Sequence, residues 1–146
     1  MIAPDKSAPV VFLAEDSEDD AFFFQRAFRK SAQGCTLLRA TDGKMAIDRL
    51  KESRTAGTAP ILIFLDLKMP VLSGFEVLEW LKFSDFEQVP RVIVLSGSND
   101  EDDRARALKL GAVEYLVKPI TAEILQARIA GELELLRQTQ RERESA

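Results

Sequence analysis

The chain has 146 residues, 46% hydrophobic and 30% charged, so we expect one domain with a substantial core. Its net charge of -4 argues against nonspecific nucleic-acid binding. It contains no histidine and a single cysteine, Cys35. This excludes Ser-His-Asp and Cys-His hydrolases, histidine-ligated metal sites, a phosphohistidine carrier and an intrachain disulfide. Any chemistry must come from carboxylates, lysines, hydroxyls or a bound hard cation.

No secretory signal peptide or membrane helix is predicted from the sequence. Residues 1–9 lack the apolar core of a signal peptide. No apolar run approaches the roughly 20 residues of a membrane helix. We therefore expect a cytoplasmic protein with a flexible N-terminus at 1–9, a domain at 10–137, and a polar tail or helix extension at 138–146.

Strand and helix patterns alternate through the first half of the chain. The first strand is predicted at residues 10–14 and the first helix at 21–30. A second strand is predicted at 36–40, and a helical face follows with Ala46, Ile47 and Leu50. Small and polar residues at 51–60 predict a surface connection.

The same alternation continues in the second half. Five apolar residues at 61–65 are typical of a strand buried on both faces, and a helix is predicted at 74–82. A strand at 92–95 precedes a helix at 101–110. Ser98 and Glu101 predict a capping box for that helix, and Gly111 ends it.

The last unit completes an α/β pattern. A fifth strand is predicted at 113–117, and a last helix from Thr121 carries the apolar stripe Leu125, Ile129, Leu133 and Leu136. Five strand–helix units predict a parallel sheet with right-handed crossovers. The fold class is therefore a doubly wound five-stranded parallel sheet with helices on both faces. The pattern does not specify the strand order.

Polar side chains follow four of the five predicted strands: Glu15, Asp16, Asp66, Ser96 and Lys118. Because the carboxyl ends of parallel strands lie at one edge of the sheet, these side chains are expected to converge. Each alone has an ordinary explanation, such as a turn or strand-end residue. The acids Glu18, Asp19 and Asp20 are explained by the dipole of the first helix.

The converging groups suit phosphoryl transfer. Three carboxylates repel one another unless a cation joins them, and oxygen ligands without Cys or His suit Mg²⁺. An aspartate can attack phosphorus to form an aspartyl phosphate. Mg²⁺ and a lysine ammonium group would neutralise the charge of the transferring phosphoryl oxygens.

These positions form a recognisable pattern. Glu15-Asp16, Asp66 with Met69-Pro70 and Gly74, Ser96-Gly97, and Lys118-Pro119 together resemble the receiver domain of two-component response regulators. The resemblance covers residues 10–137, nearly the whole chain. It implies a flavodoxin-like fold with strand order 2-1-3-4-5.

The resemblance also implies roles for individual residues. Asp66 would be the phosphoacceptor, and Mg²⁺ would be held by Glu15, Asp16, Asp66 and the backbone carbonyl of Lys68. Lys118 would contact the phosphoryl group, Ser96 would move towards it, and Tyr115 would be the switch aromatic. Pro70, Gly74 and Pro119 would be structural, with a cis Lys118–Pro119 bond.

The resemblance implies protein partners rather than nucleic acid or membrane. A sensor histidine kinase would supply the phosphoryl group. Because only ten residues follow Leu136, output is expected through a downstream protein target or a homodimer formed by helix 4, strand 5 and helix 5. The start Glu15-Asp16-Ser17, the connection at 51–60 and the extended last helix are similar to single-domain regulators paired with bacterial phytochromes.

Several alternatives stay open at this point. A phosphatase of the haloacid-dehalogenase type also uses an aspartate nucleophile, but it needs a second aspartate at the position of Lys68. A constitutive binding module would keep the fold without taking up phosphate. Tyr115 could be a sheet residue with a wet hydroxyl, and the stripe on the last helix could pack on the sheet or form a dimer seam.

Two positions depart from the family pattern, because Lys68 brings a cation to the mouth of the site and serine replaces the usual threonine at position 96.

Overall fold

The computed structural model describes residues 8–31 and 33–145. A flexible N-terminus was predicted at residues 1–9, and residues 1–7 of it lie outside the described ranges. In the described ranges five strands and five helices alternate along the chain, as predicted. They are β1 Val10–Ala14, α1 Glu18–Ser31, β2 Thr36–Ala40, α2 Gly43–Ala56, β3 Leu62–Asp66, α3 Gly74–Lys82, β4 Arg91–Ser96, α4 Glu101–Lys109, β5 Glu114–Val117 and α5 Ala122–Ser145.

The five strands form one parallel sheet with the order β2-β1-β3-β4-β5. This confirms the predicted doubly wound α/β fold and the strand order that the resemblance implied. The order reverses between β1 and β3, so β1 and β3 are neighbours although β2 separates them along the chain. In open sheets of this kind, ligands bind outside the carboxyl ends of the strands at such a point.

Two hydrophobic cores cover the two faces of the sheet. Successive residues of a strand point to opposite faces, and β3 shows this most clearly. Leu62 and Phe64 pack with α1 and α5, whereas Ile63 and Leu65 pack with α2, α3 and α4. All five residues of β3 are buried, which confirms the predicted central strand.

Helix α2 is longer than the sequence predicted. It continues to Ala56, so the predicted connection at 51–60 is wrong for its first six residues. The helix ends where Gly57 adopts a left-handed conformation with φ 72°. There the Thr58 N–H donates to the Ser53 carbonyl oxygen at 2.9 Å, a common helix-ending hydrogen bond.

Two other helix starts also differ from the prediction. Asp100, not Ser98, caps α4, because its side chain accepts a hydrogen bond from the Asp103 N–H at 3.0 Å. The predicted capping box is therefore wrong by two residues. Helix α1 begins at Glu18 rather than Ala21, and Ser17 Oγ accepts from the Asp20 N–H at 3.2 Å.

Helix α5 extends far beyond the sheet. Leu125, Ile129 and Leu133 pack in the core beside α1, which confirms that this part of the predicted stripe covers the sheet. Glu132 pairs with Arg91, the first residue of β4, at 2.7 Å. Residues 134–145 therefore continue past the amino-terminal edge of the sheet for about 18 Å, at about 1.5 Å per residue. The polar tail is helical to Ser145.

Gly74 allows α3 to begin directly beside the end of β3. A Cβ atom at this position would lie 2.3 Å from the Asp66 carbonyl oxygen and 2.7 Å from the Leu67 Cα atom. Both neighbours are backbone, which has little freedom to move. The predicted structural role of Gly74 is therefore to let the helix approach the strand end that carries Asp66.

We expect Gly74→Ala to lower the free energy of unfolding by about 1–3 kcal/mol, the usual cost of overpacking. Gly131→Ala in α5 is the control, because nothing lies within 4 Å of a Cβ atom there. That change should raise stability by up to about 1 kcal/mol through helix propensity. Urea unfolding of the three proteins would measure both effects. Equal stability of Gly74→Ala and the unchanged protein would contradict the proposed close approach.

Candidate functional site

The predicted polar residues meet at the carboxyl edge of the sheet. Glu15 follows the last residue of β1, Asp66 ends β3, Ser96 ends β4, and Lys118 follows β5. The strand register sets Ala14 beside Leu65, Asp66 beside Leu95, and Ser96 beside Val117. The predicted convergence of these strand ends is therefore confirmed.

Three carboxylates lie close enough to share one cation. One oxygen each of Glu15, Asp16 and Asp66 lies within 4.8 Å of the others. Glu15 and Asp66 are 2% and 7% exposed, whereas Asp16 is exposed to solvent. Such a set of hard oxygen ligands, open to water on one side, fits Mg²⁺.

Lys118 provides the positive charge of the site. Its Nζ atom donates to Glu15 Oε1 at 2.7 Å, Asp20 Oδ2 at 2.8 Å and Asp66 Oδ2 at 3.1 Å. These contacts use all three donors of an ammonium group. Burial acts to lower the pKa of Lys118, but the hydrogen bonds to Asp20 and Glu15 outweigh it and raise that pKa. Lys118 is therefore a cation throughout the physiological pH range.

Glu15 is the most perturbed carboxyl group of the site. Burial, together with the nearby Asp66 carboxylate, raises the pKa of Glu15 to about 9, against the opposing effect of Lys118. Its second oxygen, Oε2, is buried and has no hydrogen-bond partner within the described residues. Such a buried oxygen without a partner is costly, and a divalent cation would supply both a partner and the missing positive charge. The residues present therefore fit a metal ion.

The sequence did not single out Asp20 as a site residue. Its carboxylate was explained by the dipole of α1, but it also binds Lys118, and that hydrogen bond lowers the pKa of Asp20. The signal available in the sequence was only that Asp20 belongs to the same run of acids as Glu15 and Asp16.

Arg39 is a second residue that the sequence did not indicate. Its guanidinium donates to the Glu15 carbonyl oxygen at 3.1 and 2.8 Å and to both carboxylate oxygens of Glu18 at 3.1 Å. It thereby fixes the backbone that carries Glu15. Only the pairing of β1 with β2 brings Arg39 there, so no local motif could have shown it.

The backbone after β3 also holds the central aspartate. The Lys68 N–H donates to Asp66 Oδ1 at 3.1 Å, while the Lys68 side chain is exposed. The Leu72 N–H donates to the Pro70 carbonyl oxygen at 2.8 Å, and Val71 between them has φ 69°. The Lys118–Pro119 bond is cis, as the resemblance implied.

Ser96 and Tyr115 are connected through one loop residue. Ser96 is 4% exposed, and its Oγ atom accepts a hydrogen bond from the Ser98 N–H at 3.2 Å. Tyr115 is 3% exposed, and its hydroxyl donates to the Ser98 carbonyl oxygen at 2.6 Å. The tyrosine is therefore buried with a protein partner for its hydroxyl, which contradicts the alternative of a wet hydroxyl.

An apolar pocket of about 240 Å³ opens beside Lys118. It is lined by Leu13, Glu15, Asp20, Phe23, Phe24, Leu95, Lys118, Pro119 and Ile120. Next to it, Phe22 and Phe23 of α1 are 55% and 58% exposed. Exposed aromatic side chains at a pocket are typical of a surface that binds another protein.

Comparison with known proteins agrees with this geometry. Residues 11–130 match the family model described as response regulator receiver domain. The chain is 32% identical over 121 residues to the probable methanogenesis regulatory protein FilR2 of Methanothrix harundinacea, covering 82% of this chain and 78% of that protein. Several other curated relatives are longer, and the chain spans about half of their length or less.

Solved structures show the same fold. The phosphorylated cyanobacterial phytochrome response regulator RcpA has a TM-score of 0.71 and 29% identity, covering 86% of this chain and 91% of that chain. The Mn(2+)-bound form of response regulator Rcp1 has a TM-score of 0.67 and 31% identity, covering 84% and 90%.

The family match extends over most of the chain and includes all five strands of the sheet except Val10, the first residue of β1. It also removes the phosphatase alternative, which the lysine at position 68 had already argued against. The chain belongs to the family of response regulator receiver domains, which take up a phosphoryl group on an aspartate of their own and do not turn over a separate substrate.

Proposed function

We propose that Asp66 accepts a phosphoryl group from a histidine kinase and that the chain signals by a phosphorylation-dependent change of its protein-binding surface. The observation that carries the proposal is the placement of the Asp66 carboxylate. One of its oxygens accepts from Lys118 and the other from the Lys68 N–H, beside two further carboxylates. The group is thus buried, oriented and next to charges of both signs.

The transfer itself exchanges one bond for another. An Asp66 carboxylate oxygen forms a bond to phosphorus as the bond from phosphorus to the kinase histidine nitrogen breaks. Lys118 remains charged and can exchange a carboxylate contact for a phosphoryl oxygen. Glu15, Asp16, Asp66 and the Lys68 carbonyl would hold Mg²⁺, which supplies positive charge to the phosphoryl oxygens when it is bound.

The switch begins at the end of β4. We infer that the new phosphoryl group draws the Ser96 hydroxyl towards itself, so that its hydrogen bond with the Ser98 N–H is exchanged. Because Tyr115 is hydrogen-bonded to Ser98, this change reaches β5 and the loop before α4. A local change of charge at Asp66 thereby shifts the equilibrium between two arrangements of β5 and the loop before α4.

The output surface is proposed on α4, β5 and α5. Large apolar side chains are exposed on each of these elements: Leu108 is 44%, Val117 41% and Ile124 36% exposed. These residues support a protein partner, either a downstream target or a second copy of the chain. A concentration-dependent mass in analytical ultracentrifugation, changed by phosphorylation, would distinguish the homodimer.

The kinase is proposed to dock on α1 and the pocket beside Lys118. Phe22 and Phe23 offer apolar area within reach of Asp66, whose neighbours Asp20 and Lys118 line the same pocket. Similarity to regulators described as phytochrome response regulators supports a bacterial phytochrome as the kinase. Such a partner acts in the cytoplasm, the location proposed for this chain. None of the helices within residues 8–31 and 33–145 is long and apolar enough to span a bilayer.

The acceptor can be tested by intact mass after incubation with Mg²⁺ and acetyl phosphate. We expect one added phosphoryl group on the unchanged protein, and none on Asp66→Asn or without Mg²⁺. Asp102→Asn is the control, because Asp102 is an exposed carboxylate of α4 outside the site. A constitutive binding module would show no uptake, and would also fail to bind beryllofluoride with Mg²⁺.

Metal binding should be coupled to the proton on Glu15. Because burial and the neighbouring Asp66 raise the pKa of Glu15 to about 9 when no metal ion is bound, that carboxyl group is protonated at pH 7 and must lose its proton to bind metal. The affinity for Mg²⁺ should therefore rise with pH by up to about tenfold per unit and level off near pH 9. Calorimetry in buffers of different ionisation enthalpy would count about one proton released per Mg²⁺ at pH 7.

Glu15→Gln removes the titrating group and should abolish both the proton release and most of the pH dependence. A pH-independent affinity in the unchanged protein would contradict the coupling.

The docking surface can be separated from the chemistry with two phosphodonors. Phe23→Ala should slow transfer from a phytochrome-type histidine kinase by about tenfold, the usual effect of removing an interface aromatic. Uptake from acetyl phosphate should not change, because the carboxylates and Lys118 are intact. Phe83→Ala is the matched control, since Phe83 is 76% exposed and caps α3 at the end farthest from Asp66.

Equal transfer rates to Phe23→Ala and the unchanged protein would rule out this surface. If a phytochrome-type kinase transfers no phosphate while another histidine kinase does, the narrower partner assignment is wrong.

A further inference from the structure

Arg104 of α4 contacts two other elements around the buried tyrosine. Its guanidinium carbon lies 4.8 Å from the centre of the Tyr115 ring. Its Nη1 atom donates to the Tyr115 carbonyl oxygen at 3.3 Å, and its Nη2 atom donates to Asn99 Oδ1 at 3.0 Å. One side chain thus joins α4, β5 and the loop between β4 and α4.

These contacts continue the connection that begins at Ser96. Ser96 Oγ is bonded to the Ser98 N–H, and the Ser98 carbonyl oxygen accepts from the Tyr115 hydroxyl. Arg104 then contacts both the ring and the backbone of Tyr115. Tyr115 is therefore bound at its hydroxyl by the loop, on its ring by a cation, and at its carbonyl by the same cation.

We propose that Arg104 is a positioning residue that holds Tyr115 in its buried orientation before any phosphoryl group arrives. A cation over an aromatic face is attractive, and a planar guanidinium can also donate to two acceptors at fixed angles. Tyr115 is 3% exposed in this arrangement, in which Arg104 contacts both its ring and its carbonyl oxygen. The resting surface of α4 and β5 is thus set in part by Arg104, and phosphorylation acts on an arrangement that this residue already favours.

The inference rests on the proposed role of Tyr115 as the switch aromatic. It adds that Arg104 sets the fraction of molecules in which Tyr115 is buried before phosphorylation. Ligands shift a two-state equilibrium by their differential affinity for the two states. Removing Arg104 should therefore increase the fraction of molecules in which Tyr115 is exposed. A phosphoryl mimic should then shift these molecules to the form with Tyr115 buried. In the unchanged protein the same mimic should alter the tyrosine much less.

Tyr115 is the only tyrosine in the chain, which permits a direct measurement. Protein labelled with ¹³C-tyrosine gives ring signals from Tyr115 alone. The accessibility of the ring is read from relaxation caused by a neutral gadolinium chelate, with and without Mg²⁺ and beryllofluoride. We expect Arg104→Ala to raise the exposed-to-buried ratio by about tenfold without the mimic, and the mimic to restore protection.

The matched control is Arg106→Ala. Arg106 lies on the same helix, and its guanidinium carbon is 4.0 Å from the Phe75 ring centre. Removing it also deletes an arginine–aromatic contact of α4, so a general loosening of the helix would affect both variants. Only Arg104→Ala should expose Tyr115. Arg104→Lys keeps the charge without the planar fork and should give an intermediate value, and it serves as the test variant if Arg104→Ala does not fold.

The outcomes separate this inference from the proposed function. A ring as protected in Arg104→Ala and Arg104→Lys as in the unchanged protein would overturn the positioning role. Equal exposure in Arg104→Ala and Arg106→Ala would also overturn it. Exposure that persists with Mg²⁺ and beryllofluoride, when the mimic does bind, would overturn the link to the switch. Absence of beryllofluoride binding to the unchanged protein would instead contradict the proposed phosphoacceptor, while the measurement without the mimic would still decide the role of Arg104.

Discussion

The site depends on one ammonium group placed among three carboxylates. Glu15, Asp20 and Asp66 come from the loop after β1, from α1 and from β3, and Lys118 contacts all three. Without this cation the three carboxyl groups would lose their shared hydrogen-bond donor and the positive charge that offsets the ionised ones. The strand order explains how one lysine reaches them, because β4 alone separates β3 from β5 in the sheet. The cis bond after Lys118, the close approach of α3 at Gly74 and the Arg39 contact to Glu15 all shape the backbone around this charge pattern.

Much of the fold was predictable from local patterns. The alternation of apolar runs with helical faces was sufficient for the α/β class, and β1, β2 and α3 begin and end as predicted. Strand order was not in the pattern, since any parallel order would produce the same alternation. The strand order came from the resemblance to receiver domains, which in turn rested on Asp66, Lys118 and the other motif residues. The predicted connection at 51–60 failed because Lys51, Glu52 and Arg54 are polar but favour helix, and Gly57 rather than Lys51 ends α2.

Site residues at strand ends were predictable from the sequence. Residues that reach the site only through packing between elements were not. Asp16, Asp66, Ser96 and Lys118 follow from the rule that parallel strands share one carboxyl edge. Arg39 and Arg104 do not, because neither is the last residue of a strand or follows directly after one. Their contacts exist only after β2 packs beside β1 and α4 packs over β5. Side-chain length and rotamer decide such contacts, and neither is encoded in a short motif.

The length of α5 gives small movements near the site a larger effect elsewhere. The helix has 24 residues and begins four residues after Lys118, so it is about 36 Å long at about 1.5 Å per residue. If its first turn tilts by about 5° as a rigid rod, its last turn moves by about 3 Å, by the geometry of a helix of that length. The length of α5 thus amplifies a small tilt of its first turn, near the phosphoacceptor, into a shift comparable with an atomic diameter at Ser145.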